Sequence, residues 1–383
     1  MMTATAITDT DARADARANA RTDVAVAATP SVLPLDSLRQ LQHLAAQIRA
    51  ARGVAHKRDI ADVMQWLGQM DATQLAVPVG DDCAAIVDGD GYLLFAVEGF
   101  INEFVAAEPW FAGYCGVMVN VSDIYAMGGR PLAIVDALWS RGGDAAAPIL
   151  QGLAAASRIY RVPVVGGHSN RRCDREQLSV AILGRATHLL SSFAARPGEH
   201  LVAAIDLRGA FHEPFPYWDA SSGAPAERLV SDLELMPALA ESGQCRAAKD
   251  ISMAGIIGTA LMFAECSKCG ISIDVDAIPR PPEVPLERWV TIFPSYGFLL
   301  SIAESDLEDV LQLFADRGIA AASIGRFEAG RKVRLVRARD DVDARFDSGS
   351  VDDVSADLMS AAPISVDVWD FAHDTLMGLE RQS

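Results

Sequence analysis

The sequence predicts an α+β protein of two domains with a cleft between them. Three observations carry this expectation. Strand-like apolar runs alternate with helix-like spacings of three and four residues along most of the chain. A Pro-Gly break, Arg196-Pro197-Gly198-Glu199, separates one such alternation from a second. The chain has 383 residues and is 50% hydrophobic, enough for two cores at roughly 150 residues per domain.

Residues 1–34 are mostly Ala, Thr, Asp and Arg with few large apolar side chains, so burial cannot offset the entropy of ordering them. They read as a disordered tail. Leu38, Leu41, Leu44, Ala45 and Ile48, then Ile60, Val63, Met64 and Leu67, recur at helical spacing. They predict two helices over 35–70, split by a Gly-containing break at Arg52–Lys57. Ala84–Val87 and Tyr92–Val97 flank Asp88-Gly89-Asp90-Gly91, a hairpin signal. A helix from about Trp110 to Met127 is stopped by Gly128-Gly129-Arg130-Pro131. Leu132–Leu138 reads as a strand and Ala145–Tyr160 as a helix. Val162–Val165 is a strand ending in Gly166-Gly167, and Leu178–Ala186 completes a first domain over 71–190. Leu201–Ile205 opens a second domain, 196–340. Residues 341–383 form an acidic extension with a short amphipathic helix near its end.

With 33 Lys+Arg against 51 Asp+Glu, the net charge of −18 is a poor match for a phosphate backbone or an anionic membrane. No nucleic-acid or membrane partner is expected. Ile251–Ala264, among the longest uncharged apolar stretches, falls short of the roughly 18–20 residues of a membrane span. No signal segment opens the chain. The cysteines at 83, 115, 173, 245, 266 and 269 are scattered, which suits a reducing cytoplasm. Cys266 and Cys269 form a C-x-x-C with no partner pair, so they read as half-buried helix thiols rather than a zinc site. Gly325–Lys332 has the glycine spacing of a phosphate loop but ends Arg-Lys. No G-x-G-x-x-G, G-x-S-x-G or H-E-x-x-H occurs.

Four constellations remain. Gly80-Asp81-Asp82 brings adjacent carboxylates into a strand, where neighbours face opposite ways; its plain reading is a solvated turn. Asp123 stands in an otherwise apolar helix, either as an N-cap or buried mid-helix, where an unpaired acid is costly. Asn120, three residues earlier, shares its face. Val164–Asn170 is a strand opening into a Gly-Gly turn with three polar side chains, an ordinary turn or a phosphate contact. Lys249-Asp250-Ile251-Ser252 leads into an apolar helix that Asp250 could cap.

In this order and at these intervals, the four constellations resemble the aminoimidazole ribonucleotide (AIR) synthetase superfamily over about residues 55–330. That superfamily includes selenophosphate synthetase, thiamine-monophosphate kinase and a hydrogenase maturation factor. Ser122–Pro131 and Gly166-Gly167-His168-Ser169 are similar to selenophosphate synthetase. Gly80-Asp81-Asp82, Lys249–Ser252 and Ile271–Pro279 are similar to the thiamine kinase.

The resemblance implies a mixed-sheet N-terminal domain that pairs in a homodimer, a C-terminal α/β sandwich domain, and ATP held on Mg2+ in the cleft. By position it implies that Asp81 or Asp82, Asp123 and Asp250 hold magnesium, with Glu98 near a family aspartate. Lys57 would stabilise the transferred phosphate, and His168 and Asn170 would face the small-molecule phosphate acceptor. Asn120, Gly128, Gly129, Gly166, Gly167 and Ser169 would contact the nucleotide. The chain also departs from its relatives. Gly53–Lys57 lacks the sulfur nucleophile of selenophosphate synthetase, Met253 replaces an acid of the thiamine kinase, and Pro294-Ser295-Tyr296-Gly297 lacks that enzyme's later acids. The expectation is an ATP- and Mg2+-dependent phosphotransferase or synthetase. The alternatives are a non-catalytic ATP-binding partner in a biosynthetic complex and a metal-binding protein without nucleotide.

Overall fold

The computed structural model describes residues 34–67, 75–337 and 363–379. The expected N-terminal tail and most of the acidic extension lie outside the described residues. Helices α1 (Pro34–Ala50) and α2 (Arg52–Leu67) open the described chain. The break between them is Ala51 alone, not the expected 52–57, which belong to α2. Gly53 is accommodated there because α2 presses on the loop before a later helix: a Cβ on Gly53 would lie 1.9 Å from the Met253 carbonyl oxygen.

The first domain contains the expected hairpin β1 (Ala84–Asp88) and β2 (Gly91–Gly99), then α3 (Asn102–Ala107), α4 (Pro109–Ala126), β3 (Arg130–Trp139), α5 (Gly143–Tyr160), β4 (Val164–Asn170) and β5 (Gln177–Ala186). Its sheet runs β1-β2-β5-β3-β4, with only β3 and β4 parallel. Helix α4 is apolar on nearly every side and is buried from Phe111 to Val121, which makes it the central helix of this domain. It covers one face of the sheet together with α5. The opposite face is bare: Phe95, Val97, Val135 and Leu183 are 49%, 62%, 41% and 36% exposed.

The second domain is built on a seven-stranded sheet ordered β15-β14-β10-β13-β6-β12-β9. In chain order its elements are β6 (His200–Ile205), β7 (Ala210–Phe211), β8 (Tyr217–Asp219), α6 (Ala226–Leu233), α7 (Leu235–Ser242), β9 (Ala247–Asp250), α8 (Gly255–Ser267), β10 (Gly270–Asp274), α9 (Leu286–Trp289), β11 (Phe293–Pro294), β12 (Gly297–Ile302), α10 (Leu307–Asp316), β13 (Ala320–Glu328), β14 (Lys332–Arg337) and β15 (Ile364–Asp370). Strands β7, β8 and β11 form a small separate sheet. Every residue of β6 and β12 is buried, as continuous apolar runs require of strands covered on both faces. Leu201, Ala203 and Leu299 join one core with α1 and α8. Val202, Ala204, Phe298 and Leu300 join the other, which continues into the first domain.

Three further expectations are corrected. The Gly166–Asn170 turn is strand throughout, because β4 pairs with β3 as far as Asn170↔Trp139. Near the C-terminus, where a short amphipathic helix is expected, the described residues form strand β15: Ile364, Val366 and Val368 alternate with polar residues, and the edge of β14 offers them a ladder. Cys266 and Cys269 are fully buried rather than half-buried, and Cys269 lies beyond the end of α8. Because Phe298 is fully buried in the core that the two domains share, Phe298→Ala is expected to lower unfolding stability by about 3–5 kcal/mol, read by chemical denaturation.

Candidate functional site

Three carboxylates converge where the domains meet. Asp82 enters from the turn before β1, Asp123 from the last turn of α4, and Asp250 from the end of β9. Each offers an oxygen, and the three oxygens lie within 4.8 Å of one another. Asp123 is a buried helix residue and Asp250 a strand terminus, so neither caps a helix. Lys249 on β9 reaches across the domain boundary to form an ion pair with Asp82, the two side chains being 1% and 5% exposed. The other Asp82 oxygen accepts the Asp250 backbone N–H at 3.2 Å. Asp123 Oδ2 is buried with no hydrogen-bond donor.

Asp81 lines the same cavity but its carboxylate is already satisfied. It accepts from Ser191 Oγ at 2.7 Å and from Ser192 N and Oγ at 3.0 and 2.7 Å. Of the adjacent pair, Asp82 therefore joins the cluster, and Asp81 ties the turn to the interdomain segment. Glu98 from β2 and Lys57 from α2 line the cavity beside the three acids.

Too much negative charge is buried here for every acid to ionise. Burial, then Asp250, Glu98 and Asp82, push Asp123 well above the ordinary carboxylate range, with Lys249 opposing. Burial and Asp82 push Asp250 up to about 8 against the pull of Lys249 and Lys57. Burial also raises Glu98 and Asp81. Burial works against the charge on Lys249, yet Asp82 and Asp81 more than offset it and hold the ammonium above its usual value. These clustered hard oxygens, one of them without a hydrogen-bond donor, are a donor set that a divalent cation such as Mg2+ would fit, its charge replacing the protons.

The cavity measures about 310 Å³. Away from the carboxylates its walls turn apolar, with Phe104, Phe111, Met118, Tyr217 and Phe293. The rings are locked edge to face, Phe104 standing 5.0 Å from Tyr217 and Tyr217 5.9 Å from Phe293.

The remaining expected residues lie elsewhere. Gly128 and Gly129 pack in the turn between α4 and β3, where a Cβ on Gly129 would lie 2.3 Å from Leu94 Cδ1, so they serve close packing rather than the cavity. Asn120 turns back on its own helix, donating to the Gly116 carbonyl at 2.8 Å. Gly166, Gly167, His168, Ser169 and Asn170 lie on β4, the exposed edge strand, and none lines the cavity of its own chain.

Two family descriptions match the chain: AIR synthase related protein, N-terminal domain, over residues 80–186, and AIR synthase related protein, C-terminal domain, over 216–337. The protein sll0787 of Synechocystis is 45% identical over 297 residues, covering 77% of this chain and 92% of its own. The chain belongs to the AIR synthase-related family. The protein MJ0640 of Methanocaldococcus jannaschii is 31% identical over 302 residues, covering 77% of this chain and 93% of its own. Among solved structures, T. maritima PurL complexed with ATP superposes with a TM-score of 0.60 at 18% identity. The match covers 79% of this chain and 53% of that one, so this chain spans about half of PurL. AaThiL complexed with AMPPCP and TMP superposes at 0.54 with 21% identity, covering 72% and 91%. These likenesses show that the two-domain mixed α+β fold is that of the family.

Within this AIR synthase-related fold, sequence reasoning missed Lys249 as a site residue. Its signal was present: a lysine in Ala247-Ala248-Lys249-Asp250, a short strand otherwise too apolar to tolerate an unpaired charge. Phe104, Tyr217 and Met377 carried no such signal, because isolated apolar residues belong to cores by default.

A pH dependence follows. The raised carboxylate of Asp250 keeps its proton in the folded protein up to about 8, whereas the unfolded chain releases it near 4. Between those values the folded state binds more protons, so stability falls as pH rises. The thermal midpoint is expected to drop from pH 5 to pH 8 without divalent ions and to recover with MgCl2. In Asp250→Asn the slope flattens and the magnesium response weakens, as scanning calorimetry would read.

Proposed function

We propose that this protein is an ATP- and Mg2+-dependent enzyme that phosphorylates, or activates by phosphorylation, a small metabolite. The observation that carries the reading is the convergence of Asp82, Asp123 and Asp250 from both domains at one end of a partly open cavity. Mg2+ bound there would neutralise phosphate charge and fix the geometry of a triphosphate. Phosphoryl transfer draws mainly on charge neutralisation and in-line positioning, so the chain need supply little covalent chemistry. Lys57 would donate to the oxygens of the transferring phosphoryl group, and Glu98 beside it would steady its position. The low-dielectric setting strengthens each of these contacts. T. maritima PurL in complex with ATP and AaThiL in complex with AMPPCP share this fold, which supports the nucleotide reading. All six cysteines are free, which suits a cytoplasmic enzyme.

Asp123→Ala is expected to leave the protein folded while lowering Mg2+-dependent ATP turnover at least about 100-fold. Full turnover in that variant would overturn the reading. A non-catalytic ATP-binding partner is the second reading, favoured by Met253 and Ser295, which line the cavity where a relative carries acids. Calorimetric binding of ATP with no turnover of any acceptor would select it.

The bare face of the first sheet supports a homodimer. Phe95 opposes Leu183, and Val97 and Val135 both oppose Ala181, giving a contiguous apolar surface of the kind a partner covers. Such pairing would set β4, with His168, Ser169 and Asn170, at the margin of the interface. The double variant Phe95→Lys, Leu183→Lys is expected to run as a monomer in light scattering where the unaltered chain runs as a dimer.

A further inference from the structure

Beyond the two family-matched segments, the last of which ends at residue 337, the chain returns over 363–379 and reaches the site. After β15 it leaves the sheet at Phe371 and buries Leu376 and Met377 almost completely. Its anchor is Glu265, a carboxylate 1% exposed in the last turn of the apolar helix α8. Glu265 accepts the Leu376 N–H at 3.1 Å, the Met377 N–H at 2.7 Å, and the Thr375 hydroxyl. An acid so deeply buried is tolerated only where donors converge on it, and here the described donors all come from this one segment.

Held in this way, the segment touches both halves of the candidate site. Gly378, at φ +79°, lies against Ala61 of α2 so closely that a Cβ on it would stand 3.0 Å from the Ala61 Cα. One helical turn earlier on α2, Arg58 stacks 4.9 Å above the Trp369 ring. Leu379 covers Gly80, the residue before Asp81 and Asp82. Met377 lines the cavity beside Lys57 and Ile60.

We propose that residues 371–379 are a strap that fixes the Lys57-bearing helix over the carboxylate cluster, with Glu265 as its positioning residue and Met377 as its face in the cavity. The role given to Lys57 rests on the phosphoryl-transfer reading above; the strap's hold on α2 does not. Without the strap, α2 keeps its packing through Gly53 against Met253 and the Arg58 stack on Trp369 of β15, and loses the Arg58–Asp374 ion pair and the contact of Ala61 with Gly378. Lys57 adjoins Arg58 and loses Met377 from the cavity wall beside it, so its ammonium is no longer held toward Glu98 and Asp250.

Two variants test this: the chain truncated after Asp370, which retains β15, and full-length Glu265→Ala. Hydrogen–deuterium exchange read by mass spectrometry is expected to show at least about tenfold faster exchange in peptides of 52–67, with α5 unchanged. Unchanged exchange in α2 in both variants would overturn the strap. Exchange that rises equally in α5 would overturn its local role, since the segment would then serve the whole fold. In the kinetic arm, Lys57→Ala is combined with Glu265→Ala and turnover of MgATP is measured. Loss of Lys57 is expected to lower kcat at least about tenfold in the intact chain and less than about twofold in the Glu265→Ala background. Equal losses in both backgrounds would overturn the positioning of Lys57 by the strap. If the unaltered protein turns over no ATP, the phosphoryl-transfer reading fails while the exchange arm still decides the strap.

Discussion

Lys249 and Asp82 come from different domains, one on β9 and the other in the turn before β1, and the ion pair between them joins the domains at the point where the acids gather. Removing Lys249 would leave Asp82 buried without its counter-charge, a loss of about 3–5 kcal/mol in comparable settings. The pair also sets the electrostatics around it. Lys249 is one ammonium among Asp81, Asp82, Asp123 and Asp250, and Lys57 adds only a second, half-buried one. The surplus acids are therefore left holding protons, and a divalent cation is the simplest species that would release them. Domain docking and the readiness of the site for a cation thus have one origin.

Much of this was legible in the sequence wherever a local rule is broken. Asp123 interrupts a helix that is otherwise apolar, and burial of an acid there demands a reason outside the helix. The Asp-Asp pair concentrates charge just before a strand, and Lys249-Asp250 does so at the end of the buried strand β9. What the sequence could not convey was which of Asp81 and Asp82 faces the cluster. That choice is made by Ser191 and Ser192, more than a hundred residues away, which saturate Asp81 and leave Asp82 to Lys249.

The misread segments share a physical cause. Gly166-Gly167 reads as a turn because glycine is the common turn residue. In the structure Gly167 instead lets the strand lie against β3, where a Cβ would meet Asp136 Oδ1 at 2.4 Å. Near the C-terminus a short amphipathic helix is expected, yet Ile364, Val366 and Val368 alternate, and the ladder that decides the matter belongs to β14. In both places the deciding partner is a distant strand. The same holds for Glu265, which looks like an ordinary helix acid until the returning chain supplies its donors.

The cavity joins two chemistries along a single helix. From Asp123 back to Phe111, α4 contributes Val119, Met118 and Cys115 to one continuous wall spanning about 18 Å of helix. At the acid end, shape is set by charge: carboxylates and ammonium groups hold one another in place, and any change of position costs buried electrostatic energy. At the ring end, shape is set by contact area alone, and apolar side chains of similar volume can replace one another at small cost. Under the function proposed above, an acceptor would therefore be discriminated at the ring end, by Phe104, Tyr217 and the residues packed around them, while the acid end would set the position of the phosphates.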